Sequence, residues 1–143
     1  MIERGDNLAL DATVVDVSSE FSDAWAAENA IDGDPATEWS SIGDGDDAFI
    51  TIDLGPPQRV AAVEFLTRSM ADWSAVTSTF FIEVDVGKRL GPFEAGNPAD
   101  PNPSAVQLSG QVLRFEIDSS SGGNTGAIEI QVFAPAADGG SGD

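Results

Sequence analysis

The chain has 143 residues, enough for one domain with its own core, and it contains no cysteine and no histidine. Disulfides, thiolate zinc sites and imidazole chemistry are therefore excluded. Six basic and twenty-five acidic residues give a formal net charge of −19, which disfavours nucleic acid and anionic membranes as partners.

The acidic residues are scattered along the chain instead of forming one acidic tail. One interpretation is a merely soluble acidic protein. The other is adaptation to a salty setting outside the cell, where salt screens the repulsion between carboxylates. We favour the second interpretation, which predicts that salt stabilises the fold.

Seven segments are predicted as strands from apolar alternation or β-branched content. In chain order they are 7–9, 13–17, 49–54, 59–67, 79–86, 111–117 and 127–133. Segment 59–67 is apolar on both faces and is predicted to be central, whereas 79–86 places Val86 in its inward row. Gly55-Pro56-Pro57 is predicted to end one strand, and the proline-rich stretch 91–104 is predicted to be a long surface loop. The pattern is typical of an all-β sandwich or jelly roll.

Composition also divides the chain. Residues 7–134 are predicted to form the domain, after an N-terminal tail at 1–6 and before a linker-like C-terminal tail at 135–143. The second tail is rich in Gly, Ser, Ala, Asp and Pro, so we expect it to lead to another part of a longer parent chain.

A turn-rich stretch at 27–39 brings oxygen donors together. Gly33 and Pro35 favour a turn that lets the carboxylates of Asp32 and Asp34 converge with neighbouring carbonyls. Calcium prefers such oxygen ligands. The alternative is that both aspartates only cap turns. An EF-hand is excluded, since the position that this motif reserves for its turn glycine is Thr37 when counted from Asp32.

Four motifs in order resemble the discoidin domain family, the type C domain of coagulation factors five and eight, which includes the family 32 carbohydrate-binding modules. They are Asn29-Ala30-Ile31-Asp32-Gly33-Asp34, Thr37-Glu38-Trp39, the strand 49–55 ending in Asp53-Leu54-Gly55, and 128–133 with Ile128-Glu129-Ile130. The resemblance implies an eight-stranded antiparallel jelly-roll β-sandwich of the galactose-binding-domain-like type, with its two ends close together.

The resemblance also implies a structural calcium between the turn-rich loop and the last strand. The implied ligands are Asn29, Asp32, Asp34, Thr37 and Glu129. The alternation of the last strand supports this independently, because Glu129 is out of phase with Ile128 and Ile130 and should face the loop.

Aromatic residues in loops suggest a ligand site. Trp25 and Trp73 lie in mixed, loop-like surroundings, whereas Trp39 is predicted to be packed in the core. Sugar-binding relatives build their site from loops at one end, with arginine, asparagine, an aromatic and a histidine, and the resemblance implies Arg68, Trp73 and Asn124 for three of these roles. The missing histidine disfavours a galactose-type site. The alternative for each loop tryptophan is a cover over the open end of the sandwich.

These observations predict a non-catalytic carbohydrate-binding module with a structural calcium. We expect it to be an accessory domain of a secreted or surface protein, at an extracellular location. The alternative is a protein-interaction or adhesion domain on the same scaffold. Catalysis is disfavoured because no nucleophile–base pair is evident, although carboxylates are plentiful.

Overall fold

The computed structural model describes residues 5–34 and 36–136, which form seven strands and four short 3₁₀ helices. The strands are β1 (Thr13–Val17), β2 (Trp39–Ser40), β3 (Phe49–Thr67), β4 (Thr77–Val84), β5 (Lys88–Glu94), β6 (Ser104–Ser120) and β7 (Gly126–Phe133). The 3₁₀ helices are Leu8–Asp11, Asp23–Trp25, Ala27–Ile31 and Gly45–Asp47. The all-β, antiparallel fold class is confirmed, with seven strands in the described ranges where eight were expected.

The long strand β3 organises the sheet. It pairs with β6 along one edge and with β1 and then β7 along the other, giving the order β2-β7-β3-β6-β4-β5 with β1 attached to β3. The predicted central position of 59–67 is therefore confirmed. The prediction that Gly55-Pro56-Pro57 ends a strand is wrong, because β3 continues through these residues. It instead marks a shift in the β3–β6 register between Asp53 and Gln58.

The core is built from the apolar rows that alternation predicted. Its fully buried large side chains include Trp39, Phe65, Phe80, Phe115, Ile50, Ile52, Ile82, Leu113 and Ile130. Each such side chain contributes about 1.5–3 kcal/mol by leaving water. The Phe65 and Phe80 rings stack with centroids 5.2 Å apart, and the buried Trp39 donates its indole N–H to the Ser19 carbonyl at 3.0 Å. The core role predicted for Trp39 is confirmed.

Three further local predictions are wrong. Segment 7–9 is not a strand, because the Asn7 side chain accepts the Ala9 N–H at 3.1 Å and starts a 3₁₀ helix. Val86 is not in the inward row, since β4 ends at Val84 and Val86 is exposed in the following turn. The predicted loop 91–104 includes the second half of β5, which tolerates Gly91 and Pro92 because its only strand partner among the described residues is β4.

The two ends of the described chain lie side by side. Gly5 donates its N–H to the Ala134 carbonyl at 2.7 Å, Ala134 donates to the Asp6 carbonyl at 3.0 Å, and Asn7 pairs antiparallel with Phe133. This confirms the expected closeness of the ends. The predictions for tail residues 1–4 and 137–143 lie outside the described residues. No helix in the described part of the chain has the length and apolar character needed to cross a membrane.

Candidate functional site

Four segments meet at the end of the sandwich where β7 begins, and we call this surface the loop end. It consists of residues 18–25, 38–47, 68–76 and 118–125. Backbone hydrogen bonds join them: Phe21 N–H to the Ser40 carbonyl at 2.7 Å, Gly45 N–H to Gly123 at 3.0 Å, and Ala75 N–H to Gly122 at 2.8 Å. The loop end is therefore one connected surface.

Arg68 lies beneath this surface and connects three of its segments. Its Nε donates to Glu38 at 2.5 Å, and its Nη1 donates to the Ser40 hydroxyl at 2.9 Å and to the carbonyl of Asn124. The residue is only 4% exposed. Its guanidinium carbon also lies 5.0 Å from the centre of the half-buried Trp25 ring, in cation–π contact.

The structure thus brings Trp25, Arg68 and Asn124 together, although the predicted arginine lies below the surface and not on it. Arg68 directly follows the predicted strand 59–67, and β3 does end at Thr67, but sequence reasoning missed its partner Glu38, thirty residues earlier in the chain. An acidic residue directly before Trp39 was a weak signal for this pair.

Trp73 lies on an ordered turn of the same surface. It has a positive φ of 68° and its side chain is 77% exposed, so it does not cover the sandwich. Trp73 N–H donates to the Met70 carbonyl at 2.9 Å, and Met70 N–H donates to the Ser74 carbonyl at 3.0 Å. The turn therefore presents a large aromatic ring to solvent from a hydrogen-bonded backbone.

Asp72 precedes this tryptophan and is held in place by Ser74. Its Oδ1 accepts the Ser74 hydroxyl at 2.6 Å and the Ser74 N–H at 3.0 Å. These hydrogen bonds, the hydroxyl first, lower the pKa of Asp72 below 3.8. The carboxylate beside the exposed ring is therefore ionised at neutral pH.

Three further apolar side chains are exposed at the loop end and were missed by sequence reasoning. They are Phe21, Ile42 and Met70. Their only signal in the sequence was their position between the predicted strands. Two cavities, of about 490 and 390 Å³, lie away from this end, and a third, of about 210 Å³, borders it where Asp46 and Asp47 meet Arg89 and Arg114.

The turn-rich loop lies against β7, as the alternation of Glu129 predicted. Glu129 is 3% exposed, and its Oε2 accepts the Gly33 N–H at 2.9 Å. Its Oε1 is buried without a hydrogen-bond partner. Burial is the main cause that raises the pKa of Glu129 from 4.5 to about 7; the Gly33 hydrogen bond opposes the rise, and the charges of Asp32 and Asp34 add to it.

The remaining predicted ligands lie in the same loop. Asp32 accepts the Thr37 hydroxyl at 2.5 Å and the Asp34 N–H at 2.9 Å, and the Thr37 hydroxyl also lies 3.0 Å from the Asp34 carbonyl. The Asn29 side-chain amide donates to the Ala24 carbonyl at 2.9 Å and to the Glu38 carbonyl at 3.1 Å, and its backbone carbonyl is the predicted metal ligand.

The donor chemistry of this loop fits a calcium ion. Among residues 5–34 and 36–136, no three acidic side chains converge closely enough to hold a metal by themselves. A calcium here would therefore rely on hydroxyl, carbonyl and water oxygens as well as carboxylates, which this ion accepts. The unpartnered, buried oxygen of Glu129 is the observation that favours a cation.

The fold is an antiparallel β-sandwich with a connected surface of loops at one end. A profile of the F5/8 type C domain family matches residues 14–130. The chain belongs to this family, which confirms the resemblance found in its motifs. A search of curated proteins found no match.

Solved structures with this fold include several sugar-binding proteins. The family 32 carbohydrate-binding module of Clostridium perfringens NanJ, in complex with galactose, has 18% identity and a TM-score of 0.70, with 87% of this chain and 95% of that chain covered. Chitosan-binding module 2 from the chitosanase/glucanase of Paenibacillus sp. IK-5, in complex with chitotriose, has 20% identity and a TM-score of 0.69, with 90% and 100% covered. The f-lectin of striped bass (Morone saxatilis) serum has 19% identity and a TM-score of 0.72, with 94% and 49% covered. At these identities the similarity shows the fold.

Proposed function

We propose that this domain is a non-catalytic carbohydrate-binding accessory module whose ligand binds at the loop end. The exposed ring of Trp73 on its hydrogen-bonded turn is the observation that carries the proposal. The apolar face of a sugar packs against such a ring while its hydroxyls bond to polar groups nearby. Solved relatives in complex with galactose and with chitotriose support it.

The predicted ligand residues take different roles in this proposal. Trp73 supplies the platform, and the half-buried Trp25 and Asn124 belong to two other segments of the loop end. Arg68 acts as a positioning residue, because its guanidinium already holds Glu38, Ser40 and the Asn124 carbonyl. A secreted or surface location follows the usual setting of such modules and remains part of the proposal.

A glycan-array screen in high salt with calcium tests this function. We expect saturable binding that Trp73→Ala weakens about tenfold or more, since loss of a central aromatic contact costs over 1 kcal/mol. Trp25→Ala should weaken it as well. Val86→Ala is the matched control, because Val86 is equally exposed but lies in the turn after β4. Binding unaffected by both tryptophan variants would place the ligand elsewhere, and no binding to any glycan would contradict the function.

We further propose that a structural calcium binds between the turn-rich loop and β7. The expected ligands are Asn29, Asp32, Asp34, Thr37 and Glu129. The bound ion would satisfy the unpartnered Glu129 oxygen and tie residues 29–37 to the last strand. No residue of this site is assigned a catalytic role.

Calcium-dependent melting tests this second proposal. Calcium at about 100 times its Kd should add about 2.7 kcal/mol to the free energy of unfolding. Asp32→Ala and Glu129→Ala should abolish the increase, whereas Asp100→Ala, in an exposed loop, should keep it. A calcium-induced increase of the same size in either ligand variant would refute the ligand assignment.

One observation favours a protein-interaction surface as the second candidate. Phe21, Ile42, Met70 and Trp73 expose a group of large apolar side chains at the same end, as interaction surfaces do. This candidate would be supported if no glycan binds and a protein partner is captured instead. The binding of that partner should be lost in the Phe21→Ser and Ile42→Ser variants.

A further inference from the structure

A row of charged and aromatic side chains crosses the sheet next to the loop end, on the face that points away from the core. Glu116 of β6 lies opposite Phe49 of β3 and Phe81 of β4 in the sheet register. The Arg114 guanidinium carbon lies 3.7 Å from the centre of the Phe49 ring. The Arg89 guanidinium carbon lies 3.9 Å from the centre of the Phe81 ring. Both arginines also pair with Glu116, Arg114 at 2.8 Å and Arg89 at 3.0 Å, so an aromatic ring and a carboxylate hold each guanidinium in place.

The two arginines keep further donors outside these pairs. Glu83 of β4 lies opposite both Arg89 and Arg114 in the register, but the described ion pairs of both arginines go to Glu116 instead. Arg114 uses only its Nε in this pair, and Arg89 uses only one of its Nη atoms. A guanidinium has five N–H donors. Most of the donors of these two side chains therefore make no described hydrogen bond and can serve a ligand.

A cavity of about 210 Å³ is bordered by these donors and by two carboxylates. Its lining includes Arg89, Arg114 and Glu116 from the strands, and Asp46 and Asp47 from the last 3₁₀ helix. Among the described residues, no ion pair joins either aspartate to either arginine. Charges of opposite sign therefore border a common space without pairing across it. At about 30 Å³ per water molecule, this space has the volume of roughly seven waters, enough for one sugar ring.

The mixture of charges in this cavity favours a neutral ligand that is rich in hydroxyl groups. A guanidinium only donates hydrogen bonds and a carboxylate only accepts them, whereas a hydroxyl does both. Two neighbouring hydroxyls of a sugar can thus accept from an arginine and donate to an aspartate. An anionic group on the ligand would be repelled by the aspartates, and an ammonium group would be repelled by the arginines.

The cavity is connected to the loop end through hydrogen-bonded backbone. The 3₁₀ helix of the two aspartates begins at Gly45, which donates its N–H to the Gly123 carbonyl at 3.0 Å. The adjacent Gly122 carbonyl accepts the N–H of Ala75 at 2.8 Å, and Trp73 lies just before Ala75 in the same turn. Hydrogen-bonded backbones lie about 5 Å apart, and two such steps separate this turn from the helix. A short oligosaccharide can therefore reach both places.

We propose that this cavity is a second sugar subsite, in which hydroxyls of a neutral sugar bridge Arg114 and Asp47 while another unit of the same chain packs on Trp73. The inference rests on the proposed carbohydrate-binding function and adds a subsite on the sheet face to the one at the loop end. The guanidiniums are already held in place, so they lose little conformational entropy when a sugar binds. Affinity should increase with ligand length, because a single sugar unit fills only one of the two places.

Calorimetric titration with neutral sugars of different length tests the inference. The probes are the monosaccharide and the pentasaccharide of two series, β-linked galactose and β-linked N-acetylglucosamine. We expect the pentasaccharide of at least one series to bind about tenfold more tightly than its monosaccharide, because hydrogen bonds to charged groups are strong. Raising the salt concentration should change this gain little, since the ligand carries no charge.

Two substitutions of opposite charge separate direct contact from general electrostatic effects. Arg114→Met removes a positive charge and Asp47→Asn removes a negative one, and each should weaken binding of the pentasaccharide about fivefold. A loss in both variants cannot come from the net charge, which the two substitutions change in opposite directions. The matched controls are Arg59→Met and Asp11→Asn, since both residues are exposed and neither lines the cavity. Both controls should bind the pentasaccharide as the parent chain does.

The outcomes separate this inference from the proposed function. Equal affinity for the monosaccharide and the pentasaccharide in both series would overturn the second subsite and leave the carbohydrate function standing. Unchanged pentasaccharide affinity in Arg114→Met or in Asp47→Asn would do the same, as would absence of binding to both series. Only the failure of every glycan in the array would overturn both.

Discussion

Arg68 shows how one buried side chain determines the shape of a binding surface. A planar guanidinium offers five N–H donors in fixed directions, and here they reach a carboxylate, a hydroxyl, a carbonyl and a thioether from three segments. A lysine has three donors on one nitrogen and would not span these partners. The loops around Trp25 and Asn124 therefore depend on this residue.

Replacing Arg68 should destabilise the whole domain. Arg68→Met leaves Glu38 and the Asn124 carbonyl without their partner, and we expect a loss of about 2–4 kcal/mol in the free energy of unfolding in urea. Arg68→Met with Glu38→Gln should recover part of the loss. The control is Arg114→Met, since Arg114 is a third exposed and pairs with Glu116 at the surface. Equal effects of Arg68→Met and Arg114→Met would contradict the central role of Arg68.

The buried carboxyl of Glu129 should make calcium-free stability depend on pH. Its pKa is raised from 4.5 to about 7 in the folded protein, so the folded state keeps the proton that the unfolded state releases. Stability should therefore fall as pH rises from about 4.5 to about 7, by roughly 3 kcal/mol at most, and level off above that.

Denaturant titrations across this pH range, with a calcium chelator present, measure this change in the free energy of unfolding. Glu129→Gln, which carries no ionisable group, should lack the decline. The carboxyls with lowered pKa, Asp72 and Asp85, titrate below 3.8 and do not contribute in this window. A decline of the same size in Glu129→Gln would assign the pH dependence to other groups.

At the scale of elements, β2 is the shortest of the described strands. Its two residues pair with Gly126 and Ala127 at the start of β7, and β2 carries Ser40 to Arg68. A Cβ on Gly126 would lie 2.0 Å from the Trp39 carbonyl oxygen, so only glycine permits this approach.

Gly126→Ala should therefore separate β2 from β7 and loosen the loop end. We expect a loss of about 1–3 kcal/mol in stability, together with weaker binding at the loops that β2 supports. Thermal unfolding and the glycan titration measure the two effects. Gly87→Ala is the control, because its Cβ would meet ordinary van der Waals distances in a turn. A Gly126→Ala variant as stable as Gly87→Ala would disprove the close contact.

The elements also show what the sequence predicts and what it does not. Alternation located β4, β7 and the second half of β6, because period-two patterns report directly which face is buried. It missed the first half of β6, residues 104–110. It missed β5, whose Gly91 and Pro92 are typical of a loop but are tolerated on an edge strand. Local hydrogen bonding by Asn7 turned another predicted strand into a 3₁₀ helix. Loop contacts such as Arg68 with Glu38 depend on tertiary packing, which no local pattern encodes.

For the whole molecule, the net charge of −19 predicts a strong response to salt. The screening length falls from about 10 Å at 0.1 M to about 3 Å at 1 M, so repulsion between scattered carboxylates weakens. With a calcium chelator present, we expect the Tm to rise by several degrees between about 0.1 and about 2 M sodium chloride. A variant with Asp11, Asp16, Asp23 and Asp100 replaced by Asn should show a shallower rise. A flat response in the parent chain would contradict adaptation to salt.

The antiparallel pairing of the two chain ends has a mechanical consequence. Gly5, Asp6 and Asn7 run opposite to Phe133 and Ala134, so the first and last described segments lie at the same place on the domain. The loop end begins at the other end of β7, roughly 25 Å away at about 3.3 Å per residue. A force that pulls residues 5–7 away from residues 133–134 would act on these backbone hydrogen bonds one after another. They would break before the force reached the loop end.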